Sequence, residues 1–246
     1  MARRPVQPVH QDPRDRGRVA AIAPCLAEGI SVNVTLIFSC SATPPLWTPI
    51  SRARATAAGR DLPRLASVAS FFVSRFDTEV DARLDELATT AATALRGRAA
   101  VANAVLAFAH HDEILASDRW ARLDAAEARP QRPLWASTGV KDPAYDDTRY
   151  VVDLVTAGVV NTMPKATLDA VADHGKLRGD TVRGCREEAR KILDALTAVG
   201  IDYHRVVTTL EGQGVAKFTA SGAQLATSLA ERLRIPQAQP ETPDFR

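Results

Sequence analysis

Gly29-Ile30-Ser31-Val32-Asn33-Val34-Thr35-Leu36-Ile37-Phe38-Ser39 alternates apolar and small polar residues with a period of two. That period belongs to a β-strand with two unlike faces. Ile30, Val32, Val34, Leu36 and Phe38 form one face, rich in the branched and aromatic side chains that pack beneath a helix layer. Ser31, Asn33, Thr35, Ile37 and Ser39 form the other, polar but without charge. Two readings of this second face stand at this point. It is the wet side of an antiparallel strand, or it belongs to a barrel strand whose hydroxyls and amide point into an active site.

The chain on either side of this strand is regular. Arg18 to Leu26 has helical apolar spacing and runs into Gly29, a helix stop. Leu65 to Val73 reads as a second apolar strand, Arg132 to Thr138 as a third and Gly158 to Thr162 as a fourth, the last running into Met163-Pro164 at a helix start. Between and after them lie helical stripes. One starts near Asp77 and Thr78 and carries Val80, Leu84, Leu87, Ala88, Ala91 and Leu95 up to Gly97; another carries Val101, Val105, Phe108 and Leu115. Asp147 to Leu154 predicts a short helix, and Ala166 to Ala172, Thr181 to Val199, Tyr203 to Glu211 and Ser221 to Leu233 predict four more. Alternating strands and helices make an α/β fold with a parallel sheet. A closed (β/α)8 barrel takes eight strands and places its chemistry at their C-terminal ends. The four strands here predict the second half of such a TIM barrel. An open doubly wound sheet is the alternative, although no glycine-rich phosphate loop follows any strand.

With 246 residues, 46% of them hydrophobic, the chain suffices for one large domain or two small ones. A formal charge of +2 gives no strong field for nucleic acid or a membrane surface. Met1-Ala2-Arg3-Arg4-Pro5 is not followed by the apolar core of a signal peptide, and no apolar run reaches membrane-spanning length. Cys25, Cys40 and Cys185 match no paired metal or redox spacing, so a reducing cytoplasm is expected. Residues 1–16 hold three prolines and no apolar period, which predicts an unstructured segment. Residues 40–52 form an anomalous proline-rich segment, with Pro44, Pro45 and Pro49 where a barrel would place a helix, and a proline inside a helix costs about 3 kcal/mol. The body of the domain is expected over 17–235, with a tail at 236–246.

Four strand segments together carry a family resemblance. Gly29 to Ser39, Ser67-Val68-Ala69-Ser70-Phe71-Phe72-Val73-Ser74-Arg75, Arg132-Pro133-Leu134-Trp135-Ala136-Ser137-Thr138-Gly139 and Val160-Asn161-Thr162-Met163-Pro164 resemble transaldolase of the type found in actinobacteria. Gly179-Asp180-Thr181-Val182 and Gly214-Val215-Ala216-Lys217-Phe218 fit the same pattern, so the resemblance runs in order from residue 17 to about 235. It implies a class I aldolase barrel of the pentose phosphate pathway, of which roughly the last four β/α units are present. A lysine amine would form a Schiff base with a sugar-phosphate ketone. A dihydroxyacetone unit would then pass from fructose 6-phosphate or sedoheptulose 7-phosphate to an aldose such as erythrose 4-phosphate or glyceraldehyde 3-phosphate. No cofactor and no metal are implied.

Residue by residue, the resemblance puts Asn33 and Thr35 beside the Schiff base, Ser70 against the bound carbon unit and Arg75 on the phosphate, which its planar fork of donors suits. Read without the family, Ser70 is a small core residue and Arg75 a surface charge flanking a helix. The nucleophilic lysine is missing from its expected place, where His10-Gln11-Asp12-Pro13 stands, so no catalytic residue is assigned and the chain is expected to be inactive as written. Lys141 is the nearest substitute and reads as a solvated loop residue. A shifted frame would account for both anomalies. His10 to Pro13 can be encoded CAT CAA GAT CCC, and one base later those bases read Ile-Lys-Ile-Pro; with a similar choice of codons, a shift turns Leu46 to Ser51 into a helix-compatible string.

His110-His111 are adjacent on a helix, about 100° apart, which reads as a solvated face rather than a metal site. Arg183, Arg186 and Arg190, with Glu187 and Glu188, read as a charged outer surface, and Asp180-Thr181 as a helix cap. Two functions of different class follow. One is transaldolase chemistry through a lysine Schiff base. The other is a non-catalytic half-barrel whose open strand edges favour self-association.

Overall fold

The computed structural model describes residues 22, 24–39 and 64–234. The expectations for residues 1–16, His10 to Pro13, Cys40, segment 40–52 and the tail at 236–246 fall outside those residues. Strands β1 (Val32–Ile37), β2 (Ser67–Phe72), β3 (Arg132–Ala136) and β4 (Val160–Asn161) form one parallel sheet in the order β1-β2-β3-β4. Neighbours in the sheet are neighbours in the sequence, so the described strands contain no reversal of order of the kind that defines a doubly wound sheet. The antiparallel reading of the first strand is therefore corrected: its partner runs parallel to it.

Register sorts the side chains, because residues opposite each other in a ladder point the same way. Val34 pairs with Ala69 and Ile37 with Phe71, which in turn face Pro133 and Trp135. All six are buried. They join one core with Val80, Leu84, Val105, Phe108 and Leu196 from the helices. Asn33, Val68, Ser70, Leu134 and Val160 lie on the opposite face, where Asn33 is exposed and Val68, Leu134 and Val160 are only half-buried. Parallel sheets are ordinarily covered on both sides; among the described residues one side is sealed, while the other is covered at Ser70 and Phe72 and more open at Asn33, Val68, Leu134 and Val160.

The simple alternation expected of the first strand breaks at residue 36. Three residues of β1 span two of β2 between Val34 and Ile37, and Leu36 adopts a positive φ of 59°. This is a bulge, which inserts one residue and reverses the facing of everything after it. Ile37 therefore turns to the sealed face, whereas the expectation put it on the polar one. Phe38 turns to the Ser70 side and packs on Phe72 with ring centroids 5.3 Å apart.

Helices differ from expectation chiefly at their ends. Helix α1 (Ser74–Leu87) starts three residues early, because the backbone N–H groups of Val73 and Ser74 donate to Ala136 and Ser137 on the neighbouring strand, both at 2.9 Å. It stops at Ala88, whose φ of 50° ends the helix before the predicted stripe is complete. A short α2 (Thr90–Thr93) follows, and then α3 (Ala99–Leu115) as predicted. No apolar period marked α4 (Asp118–Asp124), although Ser117 caps it by accepting from Trp120 N at 3.3 Å. Then come α5 (Arg149–Val152), α6 (Lys165–His174) and α7 (Arg186–Ala198), the last starting five residues later than its pattern.

The two predicted C-terminal helices are one, α8 (Tyr203–Arg234). Gly212 and Gly214 do not break it. A Cβ on Gly214 would sit 2.9 Å from Leu36 Cδ2, so glycine is what lets α8 lie this close to the β1 bulge. Among the described residues, no helix is long and apolar enough to cross a membrane.

Candidate functional site

Ser70 and Asn33 meet. Lying on adjacent strands and facing the open side, they join through Ser70 Oγ, which donates to Asn33 Oδ1 at 2.8 Å. The bond occupies the amide oxygen and leaves the amide N–H groups as what Asn33 offers a ligand. Ser70 is buried and Asn33 exposed, so the pair reaches from the core to the open face. Thr35 is half-buried within the irregular register of the bulge. Arg75 occupies the first turn of α1, directly beyond β2, and its guanidinium carbon lies 5.5 Å from the centre of the Phe72 ring. Since Phe72 shares a face with Ser70, that cation–π contact draws the charge toward the same side. Lys141, in the loop after β3, is exposed.

The C-terminal ends of β3 and β4 are stapled by side chains that sequence reasoning did not single out. Thr138 is fully buried, with its hydroxyl 3.1 Å from Asn161 Oδ1 and 3.0 Å from the Thr162 carbonyl. Thr162 Oγ1 donates to the Trp135 carbonyl at 3.0 Å, and Asn161 Nδ2 donates to the Tyr150 carbonyl at 3.3 Å. Ser74 and Ser137 hydroxyls, 3.0 Å apart, tie the end of β2 to the end of β3.

Behind these ends lies a buried double clamp. Asp77 and Asp81 are one turn apart on α1, and each carboxylate holds one backbone N–H and one tyrosine. Asp77 accepts from Ala100 N and Tyr150 OH, both at 2.7 Å. Asp81 accepts from Gly97 N at 2.9 Å and Tyr145 OH at 2.7 Å. The Arg149 guanidinium lies 4.5 Å from the Tyr145 ring and 5.1 Å from the Tyr150 ring, and it also donates to the Gly97 carbonyl. Arg96 adds ion pairs to Asp142 at 2.9 Å and Asp85 at 3.2 Å. Burial pushes the Asp77 carboxyl up to about 6, against the hydrogen bonds from Ala100 and Tyr150 that lower it. Burial likewise raises Tyr145 and Tyr150, helped by the adjacent Asp81 and Asp77 charges. Both tyrosines stay protonated donors, and segment 139–149, which carries Lys141, is fixed to α1.

The family model described as Transaldolase/Fructose-6-phosphate aldolase matches residues 16–229. The chain belongs to that family. It is 57% identical to a transaldolase of Thermobifida fusca over 215 residues, which are 87% of this chain and 58% of that relative. With a transaldolase of Acidothermus cellulolyticus it shares 55% identity, and with one of Renibacterium salmoninarum 53%, over the same shares of each chain. The chain thus spans about 58% of the length of these relatives.

One expectation for this transaldolase-family chain needs correction. His111 is not on a solvated face. It is 5% exposed, with Nε2 2.9 Å from the Gln131 carbonyl, and burial lowers its pKa; only His110 is at the surface, beside Glu113 at 3.4 Å. A helix wheel cannot distinguish the two without knowing that the 131 loop covers one of them. Arg183, Arg186 and Arg190 are exposed, in keeping with the charged outer surface expected of them. Arg183 reaches Asp112 and Asp180, each at 3.2 Å, and stacks 4.8 Å from the Phe108 ring, while Arg186 pairs with Glu113 at 2.5 Å; together they tie this stretch to α3. Among the described residues, no group of three or more His, Cys, Asp or Glu could hold a metal ion.

The clamp also explains a glycine. Gly97 has a φ of 67°, and a Cβ there would fall 2.7 Å from Tyr145 Cζ and 2.8 Å from an Arg149 nitrogen. Gly97→Ala adds left-handed strain to a clash inside the clamp and is expected to destabilise the fold by about 2–4 kcal/mol. Urea denaturation of the variant checks this; a loss under 1 kcal/mol would show that the clamp is slack.

Proposed function

We propose that this chain contributes the substrate-holding part of a transaldolase site and not its nucleophile. The observation that carries the reading is the Ser70–Asn33 pair, two polar side chains on neighbouring parallel strands, bonded at 2.8 Å on the open face. Asn33 and Thr35 serve the hydroxyls and imine of the bound carbon unit, Ser70 orients Asn33, and Arg75 takes the phosphate. The residues are the last four β/α units of a (β/α)8 barrel. Strand order without reversal supports this reading, as does the position of Arg75 just beyond the C-terminal end of β2, the end at which barrels hold their ligands. The body is 17–235, the substrates are the sugar phosphates of transaldolase exchange, and the setting is cytoplasmic.

No lysine of this chain occupies the Schiff-base place. Schiff-base lysines are desolvated to lower their pKa, whereas Lys141, Lys165, Lys176, Lys191 and Lys217 are all exposed. The carbon transfer therefore needs a lysine from outside these residues, in keeping with the frame shift inferred around His10 to Pro13.

Borohydride reduction with fructose 6-phosphate, followed by peptide mass mapping, separates the two halves of this reading. The expected result is no sugar adduct on the chain alone, together with measurable fructose 6-phosphate binding by calorimetry that weakens tenfold or more in Arg75→Ala. A reduced adduct on any of the five lysines would overturn the missing nucleophile. Binding unaffected by Arg75→Ala would overturn the phosphate role.

A further inference from the structure

The geometry points to a proton-operated latch, in which Asp77 and Asp81 hold segment 139–149 shut against α1 and release it as the pair becomes fully charged. The segment follows the C-terminal end of β3 and carries Lys141. From Lys141 to Asp147 no side chain is fully buried, and only Asp142 and Tyr145 are half-buried. Apolar packing therefore does little to keep it in place. Its tethers are polar: Tyr145 OH donates to Asp81 at 2.7 Å, Asp142 pairs with Arg96 at 2.9 Å, and just beyond the segment Tyr150 OH donates to Asp77 at 2.7 Å. A stretch held in this way opens ahead of the packed core.

Charge makes the tethers depend on protons. Among the described residues, Asp77, Asp81, Asp85 and Asp142 face only two guanidiniums, those of Arg96 and Arg149. Solvent reaches Asp85 and Asp142, whereas Asp77 and Asp81 are buried one turn apart. Other elements bring Asp77 no further cation. Helix α5 supplies Arg149 and Tyr150. The turn before α3 supplies backbone N–H groups, while its Arg98 turns away to Glu188 at 3.1 Å. Helix α8 meets α1 through Tyr203 on Phe76, ring centroids 5.7 Å apart, and through Thr209, 3.3 Å from Arg83.

Two buried carboxylates with so few cations do not both ionise cheaply, so Asp77 takes up a proton more readily when the latch is shut. Burial, the largest influence on it, raises this carboxyl to about 6 from 3.8. Opening hydrates the group and returns it to an ordinary carboxylate. The latch is thus strongest below about pH 4 and weakens as pH rises through about 6. His174, exposed at the end of α6, is the rival source of pH dependence: it reaches Asp147 at 2.8 Å and Asp173 at 3.1 Å, and both raise its pKa. The latch is a property of the fold and stands whether or not the chain takes sugar phosphates.

Hydrogen exchange of the full 246-residue chain, read by mass spectrometry and corrected for the intrinsic rate at each pH, tests the latch. Protection of peptides from 139–152 is expected to fall about tenfold between pH 5 and pH 8, each unit of pKa shift allowing at most about tenfold. At both pH values it should lie at least about tenfold below the protection of α7, because the segment opens without the rest. Asp77→Asn should abolish the fall. Tyr150→Phe, which keeps the ring beside Arg149 and removes only the hydroxyl, should lower protection of the same peptides about fivefold at pH 5. Protection that is indifferent to pH, or equal to that of α7, would overturn the proposal. So would a fall that survives in Asp77→Asn, and its disappearance in His174→Gln would then assign it to the outer pair.

Discussion

Asp77→Ala is expected to destabilise the protein by about 3 kcal/mol at pH 5, because it strips the acceptor from two buried donors at once. Ala100 N at the start of α3 and Tyr150 OH on α5 both end on this carboxyl at 2.7 Å, and water does not reach the site, which is 1% exposed. Each orphaned donor costs about 1–3 kcal/mol, partly offset by removing a group that is expensive to bury when charged. Denaturant midpoints of the two proteins measure the loss.

Asp77→Asn tests the charge separately. The Asp77 carboxyl is raised to about 6 from an ordinary 3.8, so it binds a proton more tightly folded than unfolded. Its contribution to stability is then complete below about pH 4 and is lost as pH rises through about 6. The charged groups facing it are Asp81 on its own helix, which raises the pKa, and Arg149 on α5, which lowers it; Tyr150 donates to it. Asparagine is nearly isosteric with the protonated acid and never ionises. The stability of Asp77→Asn relative to wild type should therefore rise by about 2–3 kcal/mol between pH 4 and pH 7, at about 1.4 kcal/mol per unit of pKa shift. A difference that stays flat across that range would mean that Asp77 is an ordinary carboxylate and that its ion-pair surroundings outweigh its burial.

Trp135→Ala should cost about 3–5 kcal/mol, the range for emptying an aromatic site in a packed core. Trp135 is 1% exposed, meets Phe71 edge-on with ring centroids 6.1 Å apart, and donates from Nε1 to the Leu154 carbonyl at 3.1 Å. Its backbone carbonyl also receives Thr162 N and Thr162 Oγ1, each at 3.0 Å, so a cavity here loosens the junction of β3 and β4. Trp135→Phe keeps most of the ring and removes only the donor, and about 1 kcal/mol is expected. If the two variants lose equal stability, the hydrogen bond to Leu154 rather than the packing dominates the site.

The first strand shows how far a linear pattern reaches. Its period of two identified a strand, and its uncharged polar residues marked the side on which Asn33 and Ser70 meet. Beyond Thr35 the same period misassigned Ile37 and Phe38. A bulge is set by what the neighbouring strand and α8 require of Leu36, and neither lies in the local sequence. Asp77 and Asp81 stood in plain view on the α1 pattern as ordinary polar residues of an amphipathic helix. Their role depends on Tyr145 and Tyr150, more than 60 residues away, and only a folded chain brings the four together. The His110-His111 pair erred for the same reason, since burial of one ring depends on the distant loop that carries Gln131.

By itself, the sequence determined the order of the strands, the parallel α/β class and the family, because apolar periodicity and turn residues are local properties that survive without tertiary context. The continuity of α8 was decided only by the tertiary structure, in which the helix runs through Gly212, Gly214 and Gly222 and packs Gly214 closely on Leu36 of β1. So were the bulge in β1, the carboxylate–tyrosine clamp and the contrast between a sealed and an open sheet face. Each of these depends on contacts between residues far apart in the chain, whose free energy exceeds the local preference that a sequence pattern records.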